Sequence, residues 1–137
     1  MFQDMFNMKG INWWTLLGGL GLNFMLSLMV ALGGSYLRKH PQYAAPYEAY
    51  GQPVIMLVIF VLCGLSGFAV AKIADNVPLK HALWASMGAF VPMVGAFFLG
   101  PNIFVLMMAI VAVAGNLNGA MLAAPKRRSY GPPDDHR

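Results

Sequence analysis

The sequence predicts an all-α membrane protein: four transmembrane helices forming two antiparallel hairpins, with the N and C termini both cytoplasmic. Three observations predict it. Residues of the AVILMFWYC set make up 58 % of the 137-residue chain and charged residues only 10 %, where soluble domains carry about 25 % charge. A soluble fold this small has too much surface for its volume to hide so much apolar material. The apolar residues also gather into four stretches near the ~20 residues that cross a ~30 Å hydrocarbon layer. None of the four alternates with period two, which argues against barrel strands.

Taken in order, the chain opens with MFQDMFNMK, where Phe2, Met5, Phe6 and Lys9 fall at helical spacing. This predicts a short amphipathic segment along the inner interface. The first span is Trp13 to Leu37. Its apolar run exceeds the 7–15 residues of a signal-peptide core and no A-x-A site follows, so an uncleaved helix is expected. Residues 38–52, RKHPQYAAPYEAYGQ, carry two prolines and three tyrosines. Tyrosine suits the headgroup region, and the stretch reads as an interfacial loop or short surface helix. The second span is Pro53 to Ala74 and the third is Ala82 to Gly100, in which Pro92 predicts a kink. A three-residue turn, GPN, leads to the fourth span, Asn102 to Ala124, and residues 125–137 form a cytoplasmic tail. The whole of 1–137 is thus one transmembrane domain.

Orientation follows from Lys and Arg near the spans. Seven of the nine (Lys9, Lys72, Lys80, Lys126, Arg127, Arg128, Arg137) fall on the side of the termini, and two (Arg38, Lys39) on the other. A weak internal repeat accompanies this arrangement. WTLLG at 14–18 matches WASMG at 84–88, and LSG at 65–67 matches LNG at 117–119. A true repeat implies two parallel hairpins about an axis normal to the membrane.

The charged stretch between the second and third spans is the first place to seek a site. Lys72 ends a helix, and its stem carries the ammonium to the headgroups. Asp75, Asn76 and Pro78 are turn formers, and Lys80 and His81 open the next helix ahead of Trp84 at the interface. A cytoplasmic turn accounts for all of them. The segment GLSGFAVAKIADNVPLKHALW, residues 64–84, resembles the second-to-third helix junction of small bacterial four-helix membrane proteins of uncharacterised function. There, a small-residue helix reaches a basic turn and then a Pro-Leu-x-His-Gly/Ala start. The resemblance is carried by this segment and implies a four-helix bacterial inner-membrane protein, with no activity attached. The long Tyr-rich first loop and the basic tail depart from that pattern.

Catalysis needs converging acid, base or nucleophile groups, and the spans hold no Asp, Glu, Arg or His. Proton-coupled transport needs a titratable stop within the membrane, and none is present. His40, His81 and His136 fall in separate polar segments, which gives no pair for haem and no buried histidine for a chlorophyll-type pigment. Cys63 is the single cysteine, so there is neither a disulfide framework nor a thiolate metal site in one chain. The sequence predicts no enzyme, cofactor or metal.

What the spans offer instead is amides, hydroxyls and small residues. Asn23 and Asn116 each lie ~15 Å inward from the cytoplasmic ends of their helices, so they can meet at one depth. We expect an interhelical polar contact between Asn23 and Asn116 with Ser66, and Asn118, Ser27 and Ser86 as lesser contributors. Gly18, Gly64, Gly67, Gly115 and Gly119 are candidate helix-packing positions, the last two in a GxxxG spacing. The eleven methionines are adaptable filler at such contacts. Lys126, Arg127 and Arg128 form a basic cluster that attracts anionic lipid. Nothing in the tail resembles a nucleic-acid module. The expected function is a non-catalytic accessory or assembly subunit of a larger membrane complex, whose partners are lipid and other membrane subunits. The alternative is a small homo-oligomeric transporter or channel for a neutral solute.

Overall fold

A computed structural model of the chain describes residues 2–74 and 76–124. The described residues contain five helices and no strand: α1 (Phe2–Met5), α2 (Trp13–Lys39), α3 (Pro41–Ile73), α4 (Pro78–Leu99) and α5 (Ile103–Ala123). The last four are long and apolar enough to cross a membrane, which makes the chain an integral membrane protein.

Local chemistry sets the helix ends. Asn12 precedes α2 in an extended conformation, and its side-chain oxygen accepts from the amides of Trp14 and Thr15. Asn102 does the same for Phe104 at the start of α5. Both are N-cap bonds that satisfy otherwise orphaned donors. Pro78 opens α4, where its missing N–H costs nothing. For that reason α4 starts four residues before the apolar run does. It then continues through Pro92 to Leu99.

The interfacial loop or short surface helix expected over residues 38–52 is neither. His40 alone separates α2 from α3, held extended by the proline that follows it. α3 then runs for 33 residues through Pro46 and Pro53. The prolines at 41, 46 and 53 read as breakers, but Pro41 occupies the helix start and the other two are absorbed within the helix. At ~1.5 Å per residue α3 is ~50 Å long against ~30 Å of hydrocarbon. Tyr43, Tyr47 and Tyr50 lie in its surplus third. The amphipathic N-terminal helix is also shorter than expected. It stops at Met5, and Lys9 lies beyond it in non-helical chain.

The bundle closes on small residues. α3 packs most extensively on α5, and α2 contacts both α3 and α4. Ala82, Ala85, Ala89, Ala109, Ala112 and Ala120 are completely buried. Ile59, Cys63, Ala89, Met93, Ala109 and Ala112 form one core cluster, and Ala71, Ala82, Ala120 and Ala123 another. Large apolar side chains such as Leu17, Met29, Leu32, Leu65 and Ile110 point outward. In a bilayer that inversion is expected, because lipid solvates a leucine as well as a core does and backbone approach drives packing instead.

Candidate functional site

The largest fully buried side chains are Ile59, His81, Asn23, Asn116, Ser66 and Ser86. All but one are polar, so the polar groups inside the bundle are where chemistry has to be sought. Apart from Ser86, they fall into two clusters at different depths.

The deeper cluster joins three helices. Asn23 of α2 donates through Nδ2 to the Gly19 carbonyl at 2.9 Å, and Asn116 of α5 donates to the Ala112 carbonyl at 3.0 Å. Each bond to a carbonyl one turn back leaves no doubt which end of the amide is nitrogen. The Asn116 Nδ2 then donates to Asn23 Oδ1 at 2.7 Å, and Asn23 Nδ2 donates to Ser66 Oγ of α3 at 3.0 Å. Asn23 and Asn116 are wholly excluded from the surface. Asn116 Oδ1 has no hydrogen-bond partner among the described residues. The other expected contributors lie elsewhere. Asn118 is exposed and donates to the Ala114 carbonyl of its own helix, Ser27 donates to Phe24 and Ser86 to Leu83. Helix phase is the reason: Asn118 sits two residues, about 200°, round α5 from Asn116.

Glycines bring the three helices close enough for these bonds. A Cβ built on Gly67 would fall inside the backbone of Asn116, and one on Gly119 inside the Gly64 carbonyl. One on Gly115 would lie 2.6 Å from the Phe60 carbonyl oxygen, and one on Gly64 would lie in ordinary contact with Gly115. Gly18, expected to pack, does not: nothing lies within 4 Å of a Cβ there. Its neighbour Gly19 faces inward against Ala85 and Val70 instead. The sequence match between Trp14–Gly18 and Trp84–Gly88 therefore joins unlike surroundings, since Gly18 faces open space while its counterpart Gly88 abuts the Leu20 backbone.

The second cluster stands where the sequence predicts a cytoplasmic turn with Lys80 and His81 opening the next helix; they do open α4, but they are buried. Lys80 and His81 are 6 % and 1 % exposed. The N-terminal segment folds over them, and three side chains from the first two turns of α4 hold its backbone. Trp84 Nε1 donates to the Met5 carbonyl at 3.1 Å, Lys80 Nζ donates to the Lys9 carbonyl at 2.9 Å, and the Asn12 amide donates to His81 Nε2 at 2.8 Å. His81 Nδ1 faces the Val77 carbonyl at 3.1 Å. A carbonyl only accepts, so the ring proton sits on Nδ1 and Nε2 is the bare acceptor. Val77 is left-handed, with φ 43°, an uncommon conformation for a β-branched residue. It accepts from the Lys80 and His81 amides as well as the ring. No periodicity signals this clamp, because its partners are separated by about 70 residues of sequence. The nearest hint was the concentration of Lys80, His81 and Trp84 at one helix start.

A cavity of about 370 Å³ lies toward the opposite end, among all four long helices, from Phe24 to Arg38 along α2. Ile59 and Met93, members of the buried core, line it. Asn23 and Asn116 do not. Among the described residues no group of three His, Cys, Asp or Glu converges as metal ligands do. The basic cluster Lys126, Arg127 and Arg128 and the turn residue Asp75 lie outside the described residues. No family model matches this chain, and no curated protein or solved structure is detectably similar to it.

Proposed function

We propose that this chain is a non-catalytic accessory or assembly subunit of a larger membrane complex. The observation that carries the reading is the uncovered face of α2. Only 17 % of its most apolar stretch is buried within the chain, against 33 % in α3 and α5. Gly18, Gly21 and Gly33 have no neighbour within 4 Å of a Cβ position. A shallow groove beside Gly18, walled by Trp14, Leu22, Ala69 and Ile73, continues that face onto α3. Glycine costs a helix stability wherever nothing uses its lack of a side chain, and its use in membranes is to let a second backbone approach. The amide cluster is excluded from the surface and bonded across three helices, as a structural clasp is, and it does not line the cavity between Phe24 and Arg38.

The test is extraction in mild detergent, native-gel mass and identification of the co-migrating chains, for wild type and for Gly18→Leu. Stoichiometric association with different, larger subunits, weakened by Gly18→Leu, is the expected result. A homogeneous small oligomer carrying only lipid would reject the subunit reading and put the neutral-solute transporter in its place. The charge asymmetry supports both termini on the cytoplasmic side, the resemblance of residues 64–84 points to a bacterial inner membrane, and reporter fusions at the two ends test the orientation.

A further inference from the structure

We propose that the cavity between Phe24 and Arg38 is a binding site for one acyl chain of an anionic membrane phospholipid, whose headgroup is held by Arg38. Three properties of the cavity carry this beyond the subunit reading and independently of it. The first is polarity. Leu28, Ile55, Val105 and Met108 make the walls apolar, while Arg38, Tyr47 and Asn102 line the end where α2 stops and α5 begins. An amphiphile has that same division, and a water-soluble solute does not.

The second is shape. Phe24 and Arg38 are separated by 14 residues of helix, ~21 Å at the α-helical rise. Half of a ~30 Å hydrocarbon core is ~15 Å, so the cavity accommodates the chain of one leaflet and the start of the polar region above it. The lining residues follow α2 over that whole length, the course an extended acyl chain lying along the helix would take. The cavity is open toward its surroundings along exposed Phe24 and Leu28, so a chain enters sideways from the bilayer.

The third is charge. Arg38 is the one charged side chain lining the cavity. Among the described residues it forms no ion pair, and the guanidinium is suited to bidentate recognition of phosphate. Tyr47 lines the same end of the cavity. Its ring packs on Gly51, where a Cβ would come within 2.8 Å of it, so the missing side chain at Gly51 gives the tyrosine its place at the wall.

The experiment is native mass spectrometry of the delipidated full chain in detergent, titrated with phosphatidylglycerol or phosphatidylcholine of the same acyl composition. Wild type is expected to retain one lipid, with phosphatidylglycerol held about fivefold more tightly, the discrimination of one basic group near the surface. Arg38→Gln should bring the two lipids to parity. Its basic residues at 126–128 are intact, so the loss is traced to the cavity. Ala96→Phe, which puts a ring into the cavity from α4, should lose the retained lipid of both kinds. Equal retention of the two lipids by wild type, a preference that survives Arg38→Gln, or unchanged retention in a folded Ala96→Phe would each overturn the proposal. Arg38 is exposed at a helix end, so its variant remains interpretable even where Ala96→Phe fails to fold.

Discussion

Asn116→Ala is the sharpest probe of how the bundle is held. The substitution removes the donor that reaches Asn23 Oδ1 at 2.7 Å and leaves that oxygen in a site with no surface exposure. Orphaning a buried acceptor costs about 1–3 kcal/mol, while interhelical bonds in membranes average ~0.6 and reach ~1.7 kcal/mol. Asn23→Ala does related damage, because Asn116 Nδ2 keeps only the Ala112 carbonyl and Ser66 Oγ loses its donor. In the double variant neither side chain waits for a missing partner. The two single costs should therefore exceed the double cost by about 0.6–1.7 kcal/mol. Reversible unfolding by SDS in mixed micelles, run as a double-mutant cycle, measures the difference. Asn118→Ala is the internal control. Its amide bonds only its own helix at an exposed position, and it should fall within about 0.5 kcal/mol of wild type. Additivity of Asn23→Ala and Asn116→Ala within about 0.5 kcal/mol would refute the clasp as an energetic unit.

Three further outcomes follow from the same geometry. Gly67→Ala and Gly119→Ala drive a methyl into the facing backbone and should each cost about 1–3 kcal/mol in that unfolding assay, whereas Gly18→Ala, with open space around it, should cost nothing in the isolated chain. Val77→Gly relieves a left-handed β-branched residue and should raise stability by about 1 kcal/mol; a loss of stability would mean that the valine side chain against Gly10 contributes more than the strain removes. His81→Phe withdraws the acceptor from the Asn12 amide. Hydrogen exchange at Asn12 should then quicken about fivefold or more, with exchange in the middle of α5 unchanged.

Composition and apolar run length determine the class of this protein and the number of its long helices by themselves. A chain with 10 % charge and four apolar stretches has one solvent that suits it, and backbone hydrogen bonding in that solvent permits helices. Depth along a helix is nearly as legible, since it depends only on residue count. That is why residue count alone sets Asn23 and Asn116 at one level, where the structure bonds them to each other and to Ser66. Rotational phase is less secure. A single position turns a side chain about 100°, enough to exchange Gly18 for Gly19 and to remove Asn118 from the cluster.

What the tertiary structure alone decided is everything that depends on long-range partners. The prolines at 41, 46 and 53 carry the local signature of a loop, yet the chain turns on the single residue His40 and α3 runs on through two of them. Lys80 and His81 have the local signature of a solvated turn, and they are buried because the backbone of residues 5–12 folds over them. The cavity at Arg38 is a property of four helices together and of none singly. Local sequence sets what a residue does to its own backbone and how deep it lies in the bilayer. Which surface covers it is settled only when distant segments meet, and in this chain that is where the buried lysine, the clamp and the cavity at Arg38 arise.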